Sequence, residues 1–317
     1  MQRLRYYLLR ARRLMDQHGL AGVGRELWAF LCRHWFFTEF LWHWVEFHGV
    51  APRRSAMATI RRTVLGDVPL TPEPRQPLLL YASFDATGVI GAHVRAQLAA
   101  YHEAGFRTVF VTTSANFEAA AEAAVRPYCV AAIHRRNLGI DFGSWKTGYE
   151  WLRSTPSGAA LLEHAEVVLL ANDSCYGPFH PLGPVLDRMR AAPDAVYGIT
   201  RSHEIRPYLQ SYFLHFGRQL VASGIFRAFM TQQVRLLGTK VAVARFLEVG
   251  GSVWLERHGV PLHALIDSAE EPARTLLARH GLLDPIRDPV GRALLDLGLT
   301  PFHKRSNDLL HGGGSAP

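Results

Sequence analysis

The sequence predicts an α/β protein in which a mainly parallel sheet is flanked by helices. Three observations carry that prediction. From residue 78 to residue 200, apolar runs of strand length alternate with segments of helical length. The junctions between them hold glycine, proline or short polar clusters, the usual turn chemistry. The apolar run 167–170 stops abruptly in Ala171, Asn172, Asp173 and Ser174, as a buried strand does when its carboxyl end delivers polar groups to one place. Strand–helix–strand order at this spacing implies right-handed crossovers.

Taken in order, residues 2–17 form an amphipathic helix with Arg3, Arg5, Arg10, Arg12 and Arg13 between its apolar positions. A second helix over 25–48 holds four of the seven tryptophans, and Trp28, Trp35 and Trp42 share one face. Arg33, His34, Glu39, His43 and Glu46 break any apolar run long enough to cross a bilayer. No small-residue cleavage site follows, so the segment is no cleavable leader. A basic, aromatic, amphipathic stretch over 1–50 suits a membrane surface, or else a helical pair packed on the following domain or a second subunit. Residues 51–77, with five prolines, read as a connector.

The following domain spans 78–310. Strands are expected at 78–83, 108–112, 128–133, 167–170, 196–200 and 208–216, and helices at 90–104, 116–126, 144–152 and 181–190. Residues 218–246 read as helical, broken near Gly224 and Gly238. Glu248 to Ser252 heads a further helix with Ser252 as its cap, and two more helices precede a flexible tail over 311–317.

Composition narrows the function. Hydrophobic residues at 48% and charged residues at 20% belong to a globular chain. The net charge of +8 is uneven: residues 1–76 carry 12 arginines, no lysine and 6 acids, and the remainder is close to neutral. A basic leading region points to an anionic surface or to a solvated helix, and no nucleic-acid motif follows it. The cysteines Cys32, Cys129 and Cys175 form neither a disulfide framework nor a metal spacing, which favours a reducing compartment. None of the 16 histidines stands at HExxH spacing. The first βα turn lacks GxGxxG and the chain lacks GxxxxGK[ST], so neither a classical dinucleotide site nor a P-loop is supported.

The stretch 134–178 carries the chemistry. Two polar segments, 137–148 and 172–178, bracket a helix and the strand 167–170. Gly139, Gly143 and Gly148 let backbone approach a ligand, with Asn137 just before them and Asp141 and Lys146 between them. Asn172, Asp173 and Ser174 lie at the carboxyl end of a strand, where open α/β sheets bind ligands. The pattern reads as a site for a phosphate-bearing molecule beside one carboxylate, Asp173, with a turn or cap residue as the structural alternative. Asp85 closes the first strand as a ribose or base contact, or as an Asx turn.

The runs NLGIDFGSWKTG and VVLLANDSCYGP, together with YLQSYFLHF and the late PFHK, resemble landmarks of the rhamnan synthesis protein F family of bacterial surface-polysaccharide assembly. The resemblance covers 78–310 and leaves the first 76 residues unexplained. It implies a layout similar to GT-A nucleotide-sugar transferases, whose metal-binding Asp-x-Asp would fall on Asn172, Asp173 and Ser174. Only Asp173 matches as a carboxylate, so Mg²⁺ or Mn²⁺ would be held there with phosphate oxygens and water, or Lys146, Arg135 or Arg136 would stand in for the ion. Glu248, leading toward Gly259, looks like the acidic base of family-2 transferases, with Glu204 as the second candidate and a helix-dipole role as the structural alternative.

The expected function is therefore an inverting glycosyltransferase. It would move a sugar, rhamnose as the family name suggests, from a nucleotide-diphosphate donor to a lipid-linked saccharide. It would work on the cytoplasmic side, peripheral to the inner membrane through residues 1–50, without nucleic acid. The alternative is a non-catalytic assembly factor that keeps the fold.

Overall fold

The structure is a computed structural model and describes residues 36–71, 75–204 and 206–305. The chain divides into two compact units, Met1–Val50 and Ala51–Pro317. The expected helix over 2–17, the positions Trp28, Trp35 and Cys32, and the tail over 311–317 lie outside the described residues.

In the first unit, helix α1 (Phe36–Val45) continues into a π-helical turn over Glu46–Val50. Leu41, Trp42, Trp44 and Val45 are exposed while His43 and Glu46 are buried. Among the described residues, no helix is long and apolar enough to cross a membrane.

The second unit is built on one nine-stranded sheet, ordered β1-β4-β3-β2-β5-β9-β7-β10, with β8 paired to β7. Its strands are β1 (Ile60–Leu65), β2 (Leu78–Ser83), β3 (Arg107–Thr112), β4 (Ala131–Arg135), β5 (Val168–Asn172), β7 (Val196–Ser202), β8 (Tyr208–Leu209), β9 (Phe213–Phe216) and β10 (Leu262–Asp267). The β2/β3, β2/β5, β3/β4 and β7/β10 pairs are parallel, whereas β1, β8 and β9 run against their neighbours. The expectation of a mostly parallel sheet flanked by helices holds. Every residue of β2 and β5 is buried, as strands covered on both faces require.

Alternation along the strands assigns the two faces. Leu79, Tyr81, Phe110, Ala132 and Leu169 form one core with residues of α2 (Ala92–Glu103) and α3 (Ala119–Val125). Helix α4 (Ile140–Arg153), followed by α5 (Pro156–His164), packs on the other face: a Cβ at Gly148 would meet Val111, Leu80 and Val109. Trp145, fully buried on α4, donates its indole N–H to the Ala171 carbonyl at 3.0 Å. After β5 come the short β6 (Cys175–Tyr176) and α6 (Gly183–Arg190).

Several boundaries differ from the sequence expectation. The segment 51–77 is not only a connector, because it contributes β1, an edge strand antiparallel to β4. Most of β1 is exposed or half-exposed, so no buried apolar run marks it; backbone pairing holds it. β10 carries no such run either, with only Leu262 and Ile266 buried. The run 208–216 is not one strand: it splits into β8 and β9 around Gln210–Ser211–Tyr212, where Gln210 N–H bonds the Thr200 carbonyl at 3.0 Å.

The helical stretch after β9 comprises α7 (Arg218–Ala222) and α8 (Ile225–Ala228), divided at Gly224 with φ +81°. A π-helical turn over Phe229–Gln233 follows, then α9 (Lys240–Ala242), capped by the Thr239 hydroxyl. A second π-helical segment, Val243–Val249, runs straight into α10 (Gly250–Arg257). Glu248 therefore does not head a helix. Ser252 is no cap either: it lies inside α10 and its hydroxyl accepts the Leu209 N–H at 3.1 Å. Helices α11 (Ala273–His280) and α12 (Val290–Asp296) lead to β11 (His303–Lys304), which pairs antiparallel with β6.

Candidate functional site

Strand order reverses around β2: the chain moves outward through β3 and β4, then returns to place β5 on the other side. The carboxyl ends of β2 and β5 thus flank a topological switch point, the place where open α/β sheets bind ligands. Asp173 stands there. Its Oδ2 accepts the Ser83 hydroxyl and the Phe84 N–H, both at 2.9 Å and both from the end of β2. The residue is 8% exposed. Burial pushes its carboxyl above the ordinary value, against the opposing pull of these two bonds and of the Arg305 charge.

Asn172, the last residue of β5, is a structural hub. Its Nδ2 donates to Asp141 Oδ2 at 2.8 Å, and its Oδ1 accepts the Ser174 N–H and hydroxyl at 3.1 and 2.6 Å. Burial, followed by the nearby Asp173 charge, pushes the Asp141 carboxyl up to about 7, with Glu248 adding in the same direction. Asp141 therefore senses both Asp173 and Glu248 across this edge. Glu248 Oε1 accepts the Ser211 N–H and hydroxyl at 2.8 and 2.9 Å, and burial raises its carboxyl too.

Four groups to which the sequence assigned no role in the site complete the edge. Asp284 accepts Lys304 Nζ at 3.1 Å and Gln210 Nε2 at 3.0 Å; burial raises its carboxyl, but these contacts outweigh that and hold it low. Arg305 Nη1 lies 3.1 Å from His93 Nε2, and the Arg305 N–H donates to the Ser174 carbonyl at 2.9 Å. The PFHK run pointed at Lys304 as a landmark only. His93, Arg305 and Asp284 lie far apart in sequence and share no spacing that marks them.

Other predicted residues have different surroundings. Lys146 is buried on α4, its Nζ donating to the Met230 carbonyl at 2.7 Å and lying 3.5 Å from Glu150. Arg135 is wholly buried as well. It donates to Thr59 Oγ1 at 3.0 Å, Ser144 Oγ at 3.2 Å and the Leu138 carbonyl, and burial lowers it to about 10. Asp85 forms an Asx turn, its Oδ1 accepting the Thr87 N–H at 2.8 Å and hydroxyl at 2.5 Å; burial raises its carboxyl, but these bonds hold it low. Asn137, Arg136 and Glu204 are exposed on loops.

The glycines of 139–148 serve the fold. Gly139 and Ile140 both have positive φ, +83° and +50°, and a Cβ at Gly143 would stand 2.1 Å from the Leu138 carbonyl oxygen. What approaches closely here is the chain itself. Cys175 and Cys129 are buried free thiols, each pushed up to about 12 by burial, which makes them poor nucleophiles.

Among the described residues, no three His, Cys, Asp or Glu side chains converge on a point where they could hold a metal. A one-carboxylate site still fits Mg²⁺ or Mn²⁺ when substrate phosphates and water complete the shell. Asp173 offers that geometry, since both bonds it accepts fall on Oδ2.

The family model for rhamnan synthesis protein F matches residues 108–274, just over half of the chain. The match runs from β3 to α11 and includes Asp141, Asn172, Asp173 and Glu248. The chain is also 28% identical over 126 residues to the uncharacterized protein y4gN of Sinorhizobium fredii. That alignment takes in 38% of this chain and 31% of the relative, so the chain spans about a third of the relative's length. With more than half of its sequence, Asp173 included, inside the family's model, the chain belongs to the rhamnan synthesis protein F family, which ties it to polysaccharide synthesis.

Proposed function

We propose that the protein is a glycosyltransferase of GT-A-like layout, moving a sugar from a nucleoside-diphosphate donor onto a growing polysaccharide. The observation that carries the reading is Asp173, a single buried carboxylate pinned between the ends of β2 and β5 where the strand order reverses. Family membership supplies the polysaccharide context. Sugar transfer leaves negative charge on the departing diphosphate, which must be neutralised where it forms. Asp173 would hold the Mg²⁺ or Mn²⁺ ion, and that ion would supply this neutralisation.

Calorimetric titration of the full chain with UDP-, GDP- and dTDP-sugars, with and without Mg²⁺, tests the reading. Binding selective for one nucleotide is expected. A folded sample that binds none of them would favour the non-catalytic assembly factor instead.

Glu248 is the base of this proposal. Ser211 fixes one carboxylate oxygen, and burial raises the pKa toward the range useful for taking a hydroxyl proton. An ionised base is lost as pH falls through its own pKa. The rate should therefore show an acid limb above the ordinary glutamate value of 4.5. Glu248→Gln should lower kcat by about 100-fold or more, within the range of general-base effects, and erase that limb. Equal losses in kcat and donor affinity, with the limb intact, would assign Glu248 to structure alone.

A further inference from the structure

The segment that ends the described chain is strapped across the site. β11 pairs with β6 through His303↔Tyr176 and Lys304↔Cys175, and the Arg305 N–H extends the ladder to the Ser174 carbonyl. Phe302 anchors the strap from below, buried against Phe213 with ring centres 5.8 Å apart. Two basic residues are thereby delivered beside the loop that carries Asp173.

Their charges are used differently. Successive residues of an extended strand point in opposite directions. Lys304 turns to Asp284, 3.1 Å away, and that carboxylate neutralises it. Arg305 turns to His93, a neutral partner, and makes no ion pair with a described carboxylate. A guanidinium only donates, so His93 Nε2 must be the acceptor and the ring proton must sit on Nδ1. The ring is held in place: it edges against Tyr176 at 5.3 Å and folds over Gly91, where a Cβ would come within 2.7 Å of it. One of the five guanidinium N–H donors is thus spent on steadying the group, and its positive field reaches the Asp173 carboxylate.

We propose that Arg305, steadied by His93, binds the diphosphate of the donor directly. This deepens the donor reading above and rests on it. Arginine's planar fork matches phosphate oxygens, and its charge needs no deprotonation to act. His93 is a positioning residue: it orients the guanidinium without touching the phosphate. In this arrangement diphosphate recognition survives without a metal, and Asp173 opposes rather than assists metal-free binding.

The test titrates inorganic pyrophosphate and the preferred nucleoside diphosphate into the full chain in excess chelator. Wild type should bind, Arg305→Gln should weaken binding at least tenfold, and Arg305→Lys should fall between them. Asp173→Asn should bind as tightly as wild type or more tightly, because a repelling charge is gone. Equal affinity of Arg305→Gln and wild type would overturn the proposal. So would binding that needs Mg²⁺, vanishes in Asp173→Asn and is indifferent to Arg305, although the donor reading would then stand. Absence of all nucleotide binding, with and without Mg²⁺, would remove the donor reading and this inference together.

Discussion

Asp173→Asn is expected to reduce sugar transfer by about 100-fold or more, the scale on which losing one pre-arranged charge-stabilising group acts. The substitution isolates charge. Asparagine's carbonyl oxygen can still accept the Ser83 hydroxyl and the Phe84 N–H that pin Oδ2 in the native side chain. Stability should move the other way. Burial raises the folded carboxyl above its unfolded value of 3.8, so the folded state loses stability as pH climbs from that value through the raised one. At neutral pH the ionised group is a net cost, and removing its charge should leave Tm unchanged or higher. Steady-state turnover and thermal melting on one sample separate the outcomes. Near-normal turnover would mean Asp173 serves no charge at the reacting centre. A lower Tm accompanying lost turnover would make the residue structural.

Gly143→Ala should be strongly destabilising, costing about 3 kcal/mol, the upper range for forcing atoms into a packed site. The new Cβ would stand 2.1 Å from the Leu138 carbonyl oxygen and 3.0 Å from an Arg135 guanidinium nitrogen. Neither neighbour can retreat easily. The Leu138 carbonyl accepts from Arg135, whose guanidinium is also held by Thr59 and Ser144 in a fully buried pocket. Gly139 and Ile140, between them, already sit at positive φ. At about 2–4 °C per kcal/mol for a chain of this size, Tm should fall by roughly 6–12 °C. Transfer should suffer as well, since the same turn starts α4 and sets Asp141 against Asn172. An unchanged Tm would show that the turn opens freely, and would return Gly143 to the role of a ligand-approach glycine.

The NLGIDFGSWKTG run announced a constrained, glycine-dependent backbone, and it is one. Which atoms make the close approach was invisible, because Leu138 and Arg135 meet Gly143 only once the turn has closed. Lys146 shows the same limit: a lysine beside glycines looks like a phosphate contact, yet the helix carries it to the Met230 carbonyl. Arg135, expected as a possible phosphate partner, instead ties down the start of α4.

The sequence by itself determined the α/β class, the central strands β2, β3 and β5, and the delivery of Asn172, Asp173 and Ser174 to a strand end. Each of these is local: burial on both faces writes itself as a continuous apolar run, and a strand end writes itself as an abrupt change of polarity. Edge strands β1 and β10 were hidden because half-exposed strands held by backbone pairing need no such run. The meeting of Asp173 with Asp141, His93 and Arg305, and of Asp141 with Glu248, was decided only by tertiary structure. It depends on which strand lies next to which, and on a terminal strand pairing with β6 across more than a hundred residues of chain. Hydrogen bonds and charge act over a few ångströms of space, and no spacing along the sequence records that distance.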